Sequence, residues 1–177
     1  EEVLKPIEDP LMNQKITPSM RATLKYFWIV NLLILLQVAL GIVTAHYGVE
    51  GDSLYGIDIA SFLPYAVSRT WHVQIAILWI ATAWLATGLY MGPSILGKDP
   101  KYQKLGVNVL FIALLIVVGG SLIGQWLGVM QKLGLVENFY FGHQGYEYVD
   151  LGRFWQILLT IGLFLWLALM VRPILPV

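Results

Sequence analysis

Three histidines are the only imidazoles in this 177-residue chain, and each lies near groups it could work with. His46 precedes Glu50 by four positions, one turn of a helix, so the two would share a face if the helix runs on past Tyr47 and Gly48. An imidazole and a carboxylate in contact can act together as a general base. The alternative is an interfacial histidine beside a solvated loop acid. His72 stands in Ser68-Arg69-Thr70-Trp71-His72-Val73-Gln74-Ile75-Ala76, and no charged residue follows it until Lys98. It would therefore lie roughly one turn inside a membrane span, where an imidazole is costly without a partner and marks a functional site. Ala76, Trp79, Ala83 and Ala86 stack above it at helical spacing. That face is a shallow wall against which a porphyrin ligated by His72 could lie. It is equally a set of small residues that admits a neighbouring helix while His72 bonds a backbone carbonyl. Glu147 and Asp150, three apart after His143 in a glycine-rich loop, could offer hard oxygens to calcium or could be solvated acids that start a helix.

The elements that must position these residues are membrane helices. The chain is 58% hydrophobic and 12% charged, with a mean hydropathy of +0.70. The fold class expected is all-α integral membrane, four transmembrane helices forming part of a larger bundle. After a polar lead-in over residues 1–25, spans are expected at about 26–46, 70–91, 105–130 and 154–172, followed by a tail at 174–177. Thr17-Pro18-Ser19 could start a helix that runs into the first span. Gly92-Pro93 is expected to close the second. Gly120, Gly124 and Gly128 stripe the third and should let another backbone come close. Seven tryptophans and nine tyrosines suit two membrane interfaces. With no cysteine, disulfides, thiolate metal sites and C-x-x-C-H heme attachment are excluded. Zero formal charge argues against nucleic acid as a partner. The opening Glu-Glu and the absence of a signal-like segment read as a piece of something longer.

Basic residues set the expected orientation. Lys5, Lys15, Arg21 and Lys25, then Lys98, Lys101 and Lys104, then Arg172 fall on one side, which the positive-inside rule makes cytoplasmic, both ends included. The loops at 46–69 and 132–153 carry Glu50, Asp52, Asp58, Glu137, Glu147 and Asp150, so all three histidines gather near the outer face.

Taken together, several stretches resemble the catalytic subunit of respiratory nitric oxide reductases, of the heme–copper oxidase superfamily. They are Thr44-Ala45-His46-Tyr47-Gly48-Val49-Glu50-Gly51, Arg69-Thr70-Trp71-His72, residues 79–89, residues 105–111 and Gly142 through Gln156, in the expected order. The first looks like the quinol-oxidising form. The resemblance implies a bacterial inner-membrane oxidoreductase that reduces two NO to N2O and water with electrons from quinol. It implies that His72 is an axial ligand of the low-spin heme b, that Arg69 lies near the heme propionates, and that His46 and Glu50 belong to the quinol site. Glu147 matches a calcium ligand, Asp150 a neighbouring acidic position, and His143 no ligand role. The complete enzyme would also hold a high-spin heme, a non-heme iron and calcium.

The chain departs from that family in having no His-x-x-x-Glu on a later apolar helix and no His-His pair. The remaining metal ligands are expected from further helices of the same enzyme, and no catalytic residue is expected in this segment. A stand-alone b-type cytochrome is a competing reading, with His46 as the other histidine bordering a span. A heme-free transporter module is a third, disfavoured because no span has a Gly/Pro-broken centre.

Overall fold

The computed structural model describes residues 14–145 and 150–175. Helix α1 spans Pro18–Glu50, α2 Tyr65–Leu96, α3 Gln103–Val129, α4 Leu135–Phe141 and α5 Arg153–Val171. The four longer helices are each long and apolar enough to cross a membrane. The first packs chiefly on the second and the third on the fifth, with α1 also touching α3.

Side chains are sorted as a membrane requires. Trp28, Leu35, Trp84 and Phe164 point outward, at 74%, 69%, 74% and 69% exposure, while Gln74, Gln103 and Gln125 are wholly buried or nearly so. Immersed in water, an apolar exterior of that kind would cost about 25 cal/mol per Å2. In a bilayer it costs little, and the helices are held by close packing and internal hydrogen bonds. Tyr26, Leu33 and Leu40 recur every seven residues along α1 and meet Ile75, Leu78 and Leu85 of α2 and Val107 and Leu110 of α3 in one core. Inside it, the Tyr26 hydroxyl donates to the Val107 carbonyl at 2.7 Å.

Helix α1 starts where Thr17-Pro18-Ser19 suggested: Thr17 is the N-cap, its hydroxyl accepting from the Met20 amide at 3.2 Å. A second cap comes from far along the chain. Asp99, in the α2–α3 loop, accepts from the Ser19 amide at 2.9 Å and from its hydroxyl at 2.6 Å. A carboxylate at a helix N-terminus satisfies orphan amides and opposes the positive end of the dipole. On the same side, Arg172 donates to the Lys101 carbonyl at 2.9 Å, so the start of α1, the α2–α3 loop and the end of α5 share one face.

The second helix corrects the sequence reading: it runs through Gly92 and Pro93 and ends at Gly97, which has φ 72° and donates to the Pro93 carbonyl at 2.9 Å. Pro93 lies in the last turn. The loss of one amide donor is tolerable there, and an adjacent helix can cover the disturbed backbone. Gly92 is the point of cover, since a Cβ there would stand 3.2 Å from the Met170 carbonyl of α5.

Two small elements were not legible beforehand. Strands β1 (Ser53–Leu54) and β2 (Ile57–Asp58) form an antiparallel hairpin with Leu54 opposite Ile57. Its turn residues, Tyr55 and Gly56, have φ of 50° and 81°, as a primed hairpin turn requires. Helix α4 folds back onto the α3 glycine stripe. The Phe141 carbonyl occupies the space a Gly124 side chain would fill, and the Trp155 ring does the same at Gly120. The expected close backbone approach is thus made at Gly124.

Replacing Asp99 by Ala removes both bonds to Ser19. Hydrogen bonds to charged groups contribute roughly 1.5–3 kcal/mol. D99A should therefore unfold at lower temperature in detergent while S19A, which keeps the amide bond, loses less. Thermal melts of the two variants check the order.

Candidate electron-entry site

Helix α1 continues unbroken past Gly48 to Glu50, which places His46 and Glu50 one turn apart on the same face. The His46 Nδ1 lies 2.9 Å from Glu50 Oε1. Among the described residues nothing stands within 4 Å of where a Gly48 Cβ would be, so this glycine neither breaks the helix nor makes room for a neighbour. The other carboxylate oxygen of Glu50 accepts from the Tyr55 amide at 2.9 Å. By that bond the hairpin is latched to the helix end, and the Tyr55 ring stands 5.2 Å from the imidazole, inclined at 55°. Sequence reasoning missed Tyr55. The available signal was the Tyr-Gly pair between Leu54 and Ile57, a turn that must fold back toward the helix it follows.

His72 lies further along the α1–α2 seam. Its Nδ1 is 2.9 Å from the Gln37 carbonyl oxygen of α1. A carbonyl only accepts, so Nδ1 carries the proton and Nε2 keeps its lone pair. Nε2 has no hydrogen-bond partner among the described residues. The Gln37 side chain accepts from Trp79 Nε1 at 2.7 Å, so a single residue of α1 holds both polar groups on that face of α2. Gly41 makes the approach possible: a Cβ there would stand 2.8 Å from His72 Cε1. Helix α1 thus takes part of the face formed by Trp79, Ala83 and Ala86, and Ala86 is wholly buried. One turn toward the hairpin, the Thr44 and Ser68 hydroxyls are 2.8 Å apart and both reach the Leu40 carbonyl.

Arg69 is on the exposed side of the same end of α2 and lines a cleft of about 530 Å3 with Thr70, Gln125, His143 and Asp150. Asp150 is only 4% exposed. One of its oxygens accepts from the Gln144 amide at 2.6 Å, the other faces His143 Nδ1 at 3.9 Å, and its own amide donates to Gln74 at 3.1 Å. Beside the cleft the Gln125 side-chain oxygen is buried without a partner among the described residues, as is the Gln74 side-chain nitrogen. Buried orphans of this kind are rare and point to a polar group that completes them. Glu147 lies outside the described residues. Among those described, no group of three or more His, Cys, Asp or Glu is placed to hold a metal ion.

Residues 21–177 match the family described as cytochrome c and quinol oxidase polypeptide I. The chain belongs to that family. It is therefore a multi-pass membrane protein of the heme–copper oxidase superfamily, whose members are heme-binding oxidoreductases. Comparison with curated proteins gave no match. The donor set around His72 fits the heme that the family implies. A ring whose Nδ1–H is tied to a carbonyl has a fixed tautomer and orientation, with Nε2 as the metal donor. Arg69 on the cleft supplies the positive charge that a carboxylate-bearing group there would need.

Gly41→Ala would push the His72 ring away from α1 and lengthen its bond to Gln37. In the purified enzyme G41A should alter the heme optical spectrum without unfolding the helices. Circular dichroism beside the absorbance spectrum separates the two effects.

Proposed function

We propose that this chain is the electron-entry portion of a quinol-dependent nitric oxide reductase of the bacterial inner membrane. The observation that carries the reading is the pair His46–Glu50, hydrogen-bonded beside the Tyr55 ring on the helix whose Gln37 carbonyl orients His72. Oxidising a quinol releases two electrons and two protons, so the site must accept a hydroxyl proton. His46 turns Nδ1 toward Glu50 and leaves Nε2 as the acceptor for a quinol O–H. Glu50 then stabilises the imidazolium that forms and passes the proton to water at the exposed helix end. The Tyr55 ring offers a face on which a quinol ring can rest.

A low-spin heme b supplies one-electron redox chemistry when bound. Of this chain's residues, His72 would hold its iron through Nε2, and Arg69 would neutralise a propionate. Glu147 is proposed as a calcium ligand. Asp150, already committed to the Gln144 amide, would support the same site from behind. Reduction of two NO to N2O and water would occur on helices that complete the enzyme.

Three measurements on the complete enzyme test this. His72→Ala should abolish the low-spin heme signal with the high-spin heme largely kept, and an unchanged low-spin band would defeat the assignment. His46→Ala and Glu50→Ala should each lower quinol-driven turnover by about 10²–10⁴-fold, the range of a lost general base. An artificial donor that reduces heme directly should still support NO reduction in both variants. Equal loss with both donors would assign the pair to structure instead. Glu147→Gln should lower calcium and heme content together, because a metal-bound carboxylate is held ionised and is a poor proton carrier.

A further inference from the structure

On the face opposite the histidines, Arg21 and Lys25 of α1 and Lys104 of α3 line one pocket of about 520 Å3, with Asn108 and the apolar Ile16, Pro18 and Ala22. Lys104 is near enough to Lys25 to repel it. Like charges gathered so closely normally have a carboxylate between them, but among the described residues none of the three forms an ion pair with one. Lys25 donates to Asn108 Oδ1 at 2.5 Å and stands 4.4 Å over the Phe111 ring. An ammonium has three donors, so this anchoring leaves it able to bind something else. The Arg21 side chain makes no hydrogen bond with the described residues, and its guanidinium suits bidentate capture of a phosphate.

What lies beyond the cations selects the ligand. Trp28 and Leu32, one and two turns past Lys25, are 74% and 58% exposed, and Ile112, one turn past Asn108, is 57% exposed. The cationic pocket therefore opens directly onto bare apolar helix faces at the membrane boundary. A free anion would use only the first feature, whereas a molecule with an anionic head and hydrocarbon tails would use both.

We propose that this pocket binds the phosphate of an anionic membrane lipid, whose acyl chains lie along the exposed faces of α1 and α3. The site is independent of the quinol reading. Its ligation couples the first and third spans at their basic ends, beside the Lys25–Asn108 and Tyr26–Val107 hydrogen bonds.

The test uses the full-length protein in detergent, titrated with micelles of phosphatidylglycerol carrying brominated acyl chains. The difference in fluorescence between wild type and W28F isolates Trp28. Brominated phosphatidylglycerol should quench Trp28 at lower concentration than brominated phosphatidylcholine. R21Q/K25Q/K104Q should erase that preference, with about a fivefold loss per neutralised cation, while R21K/K104R keeps it. Should the triple variant not fold, R21Q and K104Q alone, both at exposed side chains, must each weaken it. Equal quenching by the two lipids, or a preference that survives charge removal, overturns the proposal. So does release of the lipid by excess inorganic phosphate, which would make the ligand a free anion. A preference that emerges only when Glu1, Glu2, Glu8 and Asp9 are neutralised would make the chain's own acidic lead the occupant, and equally overturns it.

Discussion

A polar group inside a bilayer has no water to bond, so each one must find a partner in the protein or bring a ligand with it. That constraint organises this molecule. Where α1 meets α2, three polar pairs form: Thr44 with Ser68, the Gln37 carbonyl with His72, the Gln37 side-chain oxygen with Trp79. Each pair needs the two backbones close together, and Gly41 supplies the clearance at the tightest point. The seam therefore does two things at once. It satisfies these polar atoms of two adjoining spans, and it sets the tautomer and direction of His72.

The same seam relates the two ends of the proposed electron path. Gln37 and His46 are nine residues apart on α1, about 14 Å along the helix axis. Both are held by a single rigid element, so the spacing between the proposed quinol pair and the proposed heme ligand does not depend on loop conformation. Loops supply what helices cannot. The hairpin after α1 brings an aromatic ring to His46, and the segment after α4 brings Asp150 and His143 to the end of α2. Function is thus divided between a stiff frame and short latched loops, each latch a single carboxylate: Glu50 on the Tyr55 amide, Asp150 on that of Gln144.

Polar residues at the opposite face do structural work of another kind. Asp99 caps a helix eighty residues upstream, and Gln103 donates to the Leu169 carbonyl at 2.6 Å. These bonds close the bundle at the end where Gly92 lets α5 lie against α2. Arg21, Lys25 and Lys104 on that face line one pocket, and among the described residues none of them forms an ion pair with a carboxylate.

Much of this was written in the sequence. Four uncharged runs determine four spans, because the length of an apolar segment and the thickness of a bilayer are both local quantities. Helix alternation then brings His46, His72 and His143 to one side, and the spacing of His46 and Glu50 allows a one-turn pair. The glycine stripe on α3 announced a close approach without naming its partner. Other features were beyond local reading. Gly48 and Pro93 could each have ended a helix, but α1 runs on to Glu50, and α2 runs through Pro93 where α5 covers Gly92. Tyr55 reaches His46 only because a two-residue turn folds the hairpin back. The role of Gln37, thirty-five residues from His72, exists only once two helices are pressed together. Hydropathy and short-range spacing are properties of one segment. Hydrogen-bond partners between segments are not, and those the tertiary structure alone decided.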